Sequence, residues 1–569
     1  MKTIKKTIAT SLSMVLALSA CGALASCGGG ETTVNNDKTV NIKVIEQGFG
    51  VEWLYELESQ FETAFASEGY EVNILEPSPD YSGETIINEL YNGYEDEGVD
   101  LYITSVQPEN VGAKGTYKKV LVEDIRQSVF NQPAISYDGT EETVKISEKI
   151  SADIASYMCD STGAMYAFNW AQSAAGMAVN TKKLQKYGVT ELPKTTNEMF
   201  DIFEKIYLGA NGQKDSETTK IFPITYFAGQ NGYQVCMLMT WLAQYDPDFY
   251  NTFWKMENEN GAMKTDGYEV FNNQAITEML TLAHRTFDQN ISSYGSTTQT
   301  LDQAQAALMK ETSGAVFYAV GDWMLNEVKL NYRNNLHDIE FMNFPMNSAL
   351  GTKLFGAGTS YNLSDEKCDE VLSLIAGLVD ANKSIDEIIA EVKTALNVTI
   401  STEDAQRVAT ARGVYYTRGI EQTAYITKGA LGKTPAEKLL RMMASEDFAE
   451  TFSSLANANT PYTKTVNTKS DYKFVKQASA VAVNDYVNVI SHHANGFRKD
   501  LNLTSIFITV SHIPQVISTN DDLLSIYADG KKSGNPLSVY ATAAKAMQKS
   551  EYDNAKANWS TWLQAAGIK

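Results

Sequence analysis

Apolar residues repeat with two different periods in the first quarter of the chain. Val- and Ile-rich runs that end at Gly or Pro predict strands. Trp53, Leu54, Leu57, Phe61 and Phe65 recur at helical spacing between two of these runs. The pattern predicts strands at 39–46, 70–75 and 99–103 and helices at 52–67 and 86–94. This alternation of strands and helices is typical of an α/β unit with a mainly parallel sheet.

The rest of the chain is mostly helical in pattern, and short strands return late. Residues 195–310 and the charged segment 364–412 predict helices, and a last helix is expected at 554–566. Strands are predicted at 315–320, 339–342 and 424–426. Because strands return after a long helical excursion, we expect a chain that crosses between two lobes, with a ligand site in the cleft.

The N-terminus has the layout of a secretion signal. Three lysines within the first six residues precede an uncharged, mostly apolar run from Thr7 to Ser26. That run is also long enough for a retained membrane helix. Against that alternative, Leu18-Ser19-Ala20-Cys21 and Leu24-Ala25-Ser26-Cys27 both resemble the bacterial lipobox. We favour Cys27 as the lipidated residue, with Cys21 as the alternative, because the polar stretch 27–38 then forms a flexible tether.

Composition excludes some functions and leaves others open. The chain has 569 residues, 43% of them apolar, so sizeable cores are expected. Its net charge of −22 makes nucleic-acid binding a poor hypothesis, because phosphate backbones would be repelled. Neither CxxC nor HExxH occurs, so no metal and no cofactor are expected. Cys159, Cys236 and Cys368 are interpreted as small buried hydrophobic residues.

Two glycine motifs resemble nucleotide sites but lack required residues. Gly48-Phe49-Gly50 follows a strand, yet Trp53 stands where a dinucleotide fingerprint needs a small residue. This turn could instead present Glu52 and Trp53 to a cleft, or Trp53 could belong to the core. The Gly-Lys-Thr sequence at 432–434 lacks the first glycine of a phosphate loop, since Thr427 is there.

Gly321-Asp322-Trp323 carries the most specific chemistry. It lies between an apolar strand and an amphipathic helix. An aspartate accepts hydrogen bonds from hydroxyl groups, and an indole face stacks on the apolar C–H patch of a pyranose, so the motif suits a sugar site. The alternative is that Asp322 caps the helix while Trp323 packs in the core.

Several segments, in order, resemble the extracellular solute-binding proteins (family 1) of carbohydrate ABC transporters. Each is similar to a family motif, and together they span roughly residues 40 to 465. They are Tyr166-Ala167-Phe168-Asn169-Trp170, Gly176 to Leu184, Leu192 to Glu198, Ala304 to Trp323, Ala424 to Ala430, and Ala436 to Ala449 with its Met443-Ala444-Ser445-Glu446.

The resemblance implies a two-lobe, type II periplasmic-binding-protein fold of α/β class, with hinge crossovers and a helix-rich second lobe. We expect a signal peptide at 1–26 and the tether at 27–38. The N-terminal lobe is expected at 39–160 plus about 312–350. The C-terminal lobe is expected at about 161–311 plus 351–569, with extra segments at about 350–415 and 465–550.

Carried over by position, the resemblance also implies a set of ligand-binding residues. Glu52 and Trp53 follow the first strand, and Tyr81 follows the second. The others belong to the hinge or to the second lobe, and for every aromatic residue a place in the core remains the alternative. They are Asn169, Trp170, Tyr226, Tyr233, Trp241, Asp322 and Trp323.

The function implied is binding without catalysis. The expected protein is a lipid-anchored, monomeric receptor on the outer face of a bacterial, Gram-positive cell membrane. It captures a carbohydrate, an oligosaccharide in the first place, and delivers it to ABC permease subunits. A receptor for a peptide or polyamine, a secreted carbohydrate-active hydrolase, and an adhesive surface lipoprotein are the alternatives.

Overall fold

The computed structural model describes residues 33–46, 48–77, 83–112, 120–160, 162–209, 221–226, 233–256, 266–288, 291, 296, 298–417, 422–463, 467–491 and 538–565. The predicted signal peptide, both lipobox cysteines and Tyr81 lie outside these residues.

Thirteen strands occur in the described residues: β1 Thr39–Val44, β2 Glu71–Ile74, β3 Leu101–Thr104, β4 Pro133–Ile135, β5 Glu141–Lys145, β6 Phe168–Asn169, β7 Ala175–Asn180, β8 Ile221–Thr225, β9 Gly314–Gly321, β10 Ile339–Met342, β11 Val414–Tyr416, β12 Thr423–Ile426 and β13 Asn488–Ile490.

The helices of the same ranges are α1 Glu52–Ala64, α2 Gly83–Asn92, α3 Tyr94–Glu97, α4 Ile146–Lys149, α5 Ala152–Met158, α6 Thr181–Gln185, α7 Thr196–Gly209, α8 Gln234–Tyr245, α9 Pro247–Lys255, α10 Gln274–Phe287, α11 Leu301–Met309, α12 Met324–Tyr332, α13 Ser348–Phe355, α14 Asp365–Asp380, α15 Ile385–Leu396, α16 Thr402–Arg412, α17 Lys433–Met442, α18 Glu446–Ala456, α19 Lys473–Val483 and α20 Ser538–Ala565.

The first lobe is built on a five-stranded sheet of order β2-β1-β3-β12-β6. β1 pairs in parallel with β2 and β3, as the strand-helix alternation predicts. β12 then joins antiparallel to β3 and β6, although some 250 residues separate it from β6 along the chain. Helix α1 packs here through one apolar face, whose side chains Trp53, Leu54, Leu57 and Phe61 are buried.

The second lobe is built on a four-stranded sheet of order β10-β7-β9-β8. β9 pairs with β7 and β8, and β10 pairs with β7. Residues 312–350, expected in the first lobe, therefore belong largely to the second. Conversely, residues 423–462 belong to the first lobe, because β12 lies in its sheet and α17 and α18 pack in its core. Strand pairing thus corrects the expected lobe boundaries.

Residues 348–412 form a helical subdomain with a core of its own. The core contains side chains from α13 to α16, among them Phe355, Cys368 and Val408, all fully buried. Ser364, Ser384 and Ser401 each accept a hydrogen bond from a backbone N–H in the first turn of a helix, which fixes where α14, α15 and α16 begin. The helical pattern predicted for 364–412 is confirmed, and it fills one of the two expected extra segments.

The C-terminal segments return to the second lobe. α19 packs along β10, where Phe474 and Val475 share a core cluster with Phe341. α20 packs on α10 through Tyr540, Ala544 and Trp559. In the part of the chain that the structure describes, no helix combines the length and apolar character needed to cross a membrane.

Candidate functional site

Within the described ranges the chain passes between the two lobes three times. The first passage runs from β6 to β7, the second from β11 to β12, and the third from α18 to α19. The passages are hydrogen-bonded to one another: the Gln172 N–H donates to Asn459 O at 2.8 Å, and Gln172 Nε2 donates to the Tyr415 hydroxyl at 2.7 Å. Three segments joined side by side form the hinge.

Asp322 lies at this hinge and not at a helix cap. Its Oδ2 accepts a hydrogen bond from Ala174 N at 3.0 Å, and its own N–H donates to Ala174 O at 3.1 Å. The residue is 1% exposed, and Oδ1 has no hydrogen-bond partner. Burial raises the pKa of this carboxyl to about 8, against the opposing effect of the backbone N–H groups. Ionising Asp322 is therefore unfavourable in this buried position.

Trp323 reaches from the second lobe into the first. It follows β9 of the second sheet, yet its ring belongs to the apolar cluster of the first lobe. The ring lies 6.4 Å from Phe49 and meets the edge of Tyr233 at 5.2 Å, both measured between ring centroids. A Cβ on Gly48 would lie 2.9 Å from Trp323 Cδ1, so the Gly48 backbone packs against the indole where the two lobes meet.

Glu327 is one helical turn beyond Trp323 on α12. Its Oε2 accepts a hydrogen bond from Gln305 Nε2, and its Oε1 would lie 2.9 Å from a Cβ on Gly48. Burial, reinforced by the nearby charge of Asp302, raises the pKa of Glu327 to about 7 despite the Gln305 hydrogen bond. The carboxyl thus contributes a hydrogen-bond acceptor to the lobe boundary.

Two of the expected tryptophans lie in the first-lobe core. Trp53 and Trp170 stack on each other with centroids 5.2 Å apart, and Phe452 packs edge-on against both. Trp53 is fully buried, and its Nε1 donates to Gly50 O at 2.9 Å. Trp53 therefore lies in the core, which was the alternative to a position in the cleft. A ligand could not reach either indole face without opening this stack.

The remaining expected residues are dispersed. Trp241 is fully buried in the second-lobe core, where its Nε1 donates to Pro345 O. Tyr226 is 2% exposed and meets the ring of Phe287. Asn169 is buried, with its Nδ2 donating to Gln422 O at 2.8 Å and to Ala171 O. Glu52 is exposed in the first turn of α1. Their ligand roles stay predictions.

Tyr233, Asp322 and Trp323 are therefore the expected residues that the structure brings to the lobe boundary. Sequence reasoning missed Gln305 and Glu327, which complete that boundary. The signal that could have found Glu327 is its position four residues after Trp323, since residues i and i+4 lie on one helix face.

Potential metal-ligating side chains are not grouped in the described part of the chain. No group of three His, Cys, Asp or Glu side chains is placed to hold a metal ion. Cys159, Cys236 and Cys368 are thiols that form no disulfide. Cys236 and Cys368 are fully buried, as interpreted from the sequence, whereas Cys159 is half-buried.

Solved structures share this architecture. A probable secreted solute-binding lipoprotein from Streptomyces coelicolor matches with a TM-score of 0.50 and 13% identity, over 90% of this chain and 99% of that one. The bacterial solute receptor AcbH, described as preferring β-D-galactopyranose, matches at 0.49 with 12% identity over 92% and 99%. Maltose-bound MalE3 from T. maritima matches at 0.49 with 16% identity over 90% and 99%. No protein-family model and no curated protein sequence matches the chain.

Proposed function

We propose that this chain, which has the two-lobed α/β fold of solute-binding proteins, is a receptor that captures a carbohydrate between its lobes. The observation that carries the proposal is the position of Trp323, which is attached to the second sheet but packs against Gly48 and Phe49 of the first lobe. A ring that bridges two lobes is well placed to couple ligand contact to lobe closure.

The site suits a neutral, hydroxyl-rich ligand. Trp323 is 7% exposed and Tyr233 is half-buried in this arrangement, so their rings would become available to the C–H patches of a sugar ring when the lobes separate. Glu327 and Gln305 supply hydrogen-bonding groups beside that surface. An ionised Glu327 would repel an anionic ligand, which favours a neutral sugar over an acidic one.

Binding would act by population shift. Each lobe alone presents half of the contacts, so a sugar that touches both stabilises the closed arrangement over the open one. Asp322 contributes as a hinge residue, since its carboxyl is hydrogen-bonded to Ala174 of the first passage and is buried, which makes it costly to ionise.

Membrane anchoring and delivery belong to the same proposal. The tandem lipobox-like sequences before the polar stretch 27–38 support a lipid anchor on the outer face of a bacterial membrane. From there the receptor would pass its sugar to ABC permease subunits. The order of the sequence motifs shared with carbohydrate receptors supports this assignment.

The test is a binding screen with product analysis. The full chain is titrated by calorimetry and thermal shift with neutral mono- and oligosaccharides, uronic acids, peptides and polyamines. A ligand that binds only the folded state raises the melting temperature. We expect saturable binding of a neutral sugar without product, and Trp323→Ala should weaken it at least tenfold. Trp562→Ala, which changes a half-buried indole on α20, is the matched control and should leave binding unchanged.

Other outcomes would replace the proposal. A new sugar product would identify a hydrolase, and binding confined to peptides or polyamines would identify another kind of receptor. If neutral sugars bind but Trp323→Ala and Trp562→Ala behave alike, the ligand site lies elsewhere in the molecule. The milder variant Tyr233→Phe keeps the ring and serves if Trp323→Ala does not fold.

A further inference from the structure

The second lobe contains a cavity that is separate from the boundary between the lobes. Its volume is about 570 Å³, within the range of roughly 300–1,000 Å³ that is common for small-molecule sites. Its walls are β10, α19, the C-terminal ends of α14 and α16, and the segment 190–194. Every described residue that lines it belongs to the second lobe or to the helical subdomain, and none belongs to the first lobe.

The cavity is formed where the two extra segments of the chain meet. The helical subdomain contributes the ends of α14 and α16, and the later segment contributes α19. These parts are hydrogen-bonded to each other. Asn484 Nδ2 donates to Val379 O at 3.1 Å, and the Tyr486 hydroxyl donates to Lys383 O at 2.6 Å. The extra segments therefore build a second concave surface, and polar contacts between them fix its walls.

Arg412 is a buried charge in the lining of this cavity. The residue is 6% exposed. Its Nε and Nη2 donate to the two carboxylate oxygens of Asp380 at 2.7 and 2.9 Å, and its Nη1 donates to Phe344 O at 3.2 Å. These bonds use three of the five N–H groups of the guanidinium. The other two N–H groups have no partner among the described residues.

Two carboxylates of the lining are already paired with cations. Asp380 pairs with Arg412. Glu340 accepts hydrogen bonds from Lys473 Nζ at 3.1 Å and from Gln477 Nε2 at 2.8 Å. Because these negative charges are balanced within the protein, neither calls for a cationic ligand.

Lys194 supplies a positive charge that is not balanced in this way. Its side chain lies across Gly377 of α14, where a Cβ would be 3.0 Å from Lys194 Cε and 3.2 Å from Nζ. In the part of the chain that the structure describes, this ammonium group has no carboxylate within ion-pair distance. Glu191 also lines the cavity without a paired cation in the same ranges, but it is exposed, so water and salt screen its charge. Lys194 is half-buried and is screened less.

The remaining wall is largely apolar, with Leu192, Phe341, Met342 and Val481 among its residues. We propose that this cavity is a second ligand site that takes a small organic carboxylate with an apolar body, with Lys194 as the counter-ion and Arg412 as a further donor. A phosphate carries a larger negative charge, so the nearby carboxylates would repel it more strongly. The site is independent of sugar binding between the lobes.

The test uses simple probes on the full chain. Phenylacetate, 3-phenylpropionate and hexanoate are titrated by calorimetry, with phenylacetamide as the uncharged match to the first. We expect saturable binding of a carboxylate, with phenylacetamide about tenfold weaker than phenylacetate or worse, because the amide cannot form a charge-assisted hydrogen bond to Lys194.

The chain offers a matched pair of lysine variants. Lys194→Met removes the charge, keeps an unbranched side chain, and should weaken carboxylate binding by about tenfold or more. Lys205→Met makes the same change at an exposed position on α7 outside the cavity and should bind the probes as wild type does. Ala480→Phe, which adds a ring at the exposed edge of the cavity on α19, should abolish binding of every probe.

The site is refuted if no probe binds wild type, if phenylacetamide binds as tightly as phenylacetate, or if Lys194→Met and Lys205→Met bind the carboxylates equally. Lys194→Met should leave sugar binding unchanged. A failed sugar screen and a failed carboxylate site are therefore separate results.

Discussion

The substitution Asp322→Asn removes the buried carboxyl at the hinge. It should change how the free energy of unfolding depends on pH. The pKa of Asp322 is raised from 3.8 to about 8 in the folded chain, with burial as the main cause. Between these values the folded protein holds a proton that the unfolded chain has released. The free energy of unfolding therefore falls as pH rises from about 4 to 8, and this loss is absent in the asparagine variant.

The size of the effect follows from the shift. One unit of pH in this window changes the contribution of the group by about 1.4 kcal/mol. From pH 5 to pH 7 the variant should therefore gain about 2.7 kcal/mol relative to wild type. Asparagine can still accept the hydrogen bond from Ala174 N through its amide oxygen, so the hinge geometry has a substitute acceptor.

Urea unfolding at pH 5, 6 and 7 measures this difference. Other titrating groups contribute equally to both proteins, so they cancel in the comparison. Asp386→Asn, at the exposed start of α15, is the control and should follow wild type. A stability gap between wild type and Asp322→Asn that stays constant over this pH range would show that Asp322 is ionised in the folded protein, which contradicts the argument.

Three further perturbations test the same structure. Gly321→Ala should displace the indole, because a Cβ there would lie 1.9 Å from Trp323 Cζ3; we expect weaker sugar binding and altered tryptophan emission. Gly48→Ala should weaken binding at least tenfold in calorimetry, because the new methyl group would lie 2.9 Å from both Trp323 Cδ1 and Glu327 Oε1 and would displace the indole. Lys183→Met should lower the free energy of unfolding, measured in urea, by about 2 kcal/mol. The buried Lys183 Nζ donates to the carbonyls of Ala307, Leu308 and Ala315, and these carbonyls would lose their partner. Unchanged values would contradict each expectation.

Local patterns predicted the elements well, because burial of one face imposes a period on the sequence. The first strands and helices, the helical segment 364–412 and the late strands β9, β10 and β12 all form close to their expected bounds. The lobe boundaries were not predictable in this way. β9 and β12 are both short apolar runs, and their local sequence does not indicate which of the two sheets each strand joins.

The site shows the same division between local and long-range information. Asp322 and Trp323 could be singled out because a carboxyl and an indole stand together after a strand. The burial of Trp53 could not be settled, since its helical spacing suits a core position and its place after a glycine turn suits a cleft. Its burial depends on a distant residue, because Trp170, more than a hundred residues away along the chain, covers one face of the Trp53 ring.

Trp323, Asn326 and Glu327 extend from α12 and its N-cap to the first lobe. Their position explains why ligand binding and lobe closure should be coupled. In the proposed receptor Trp323 contacts the sugar, while Asn326 and Glu327 meet the first lobe on the same helix face. A sugar that orders Trp323 therefore also orders the contacts beside it, and those contacts in turn hold Trp323 in place. By linkage each favours the other by the same free energy. If the chain binds a sugar as proposed, residues of this helix face that never touch the ligand would add to its affinity.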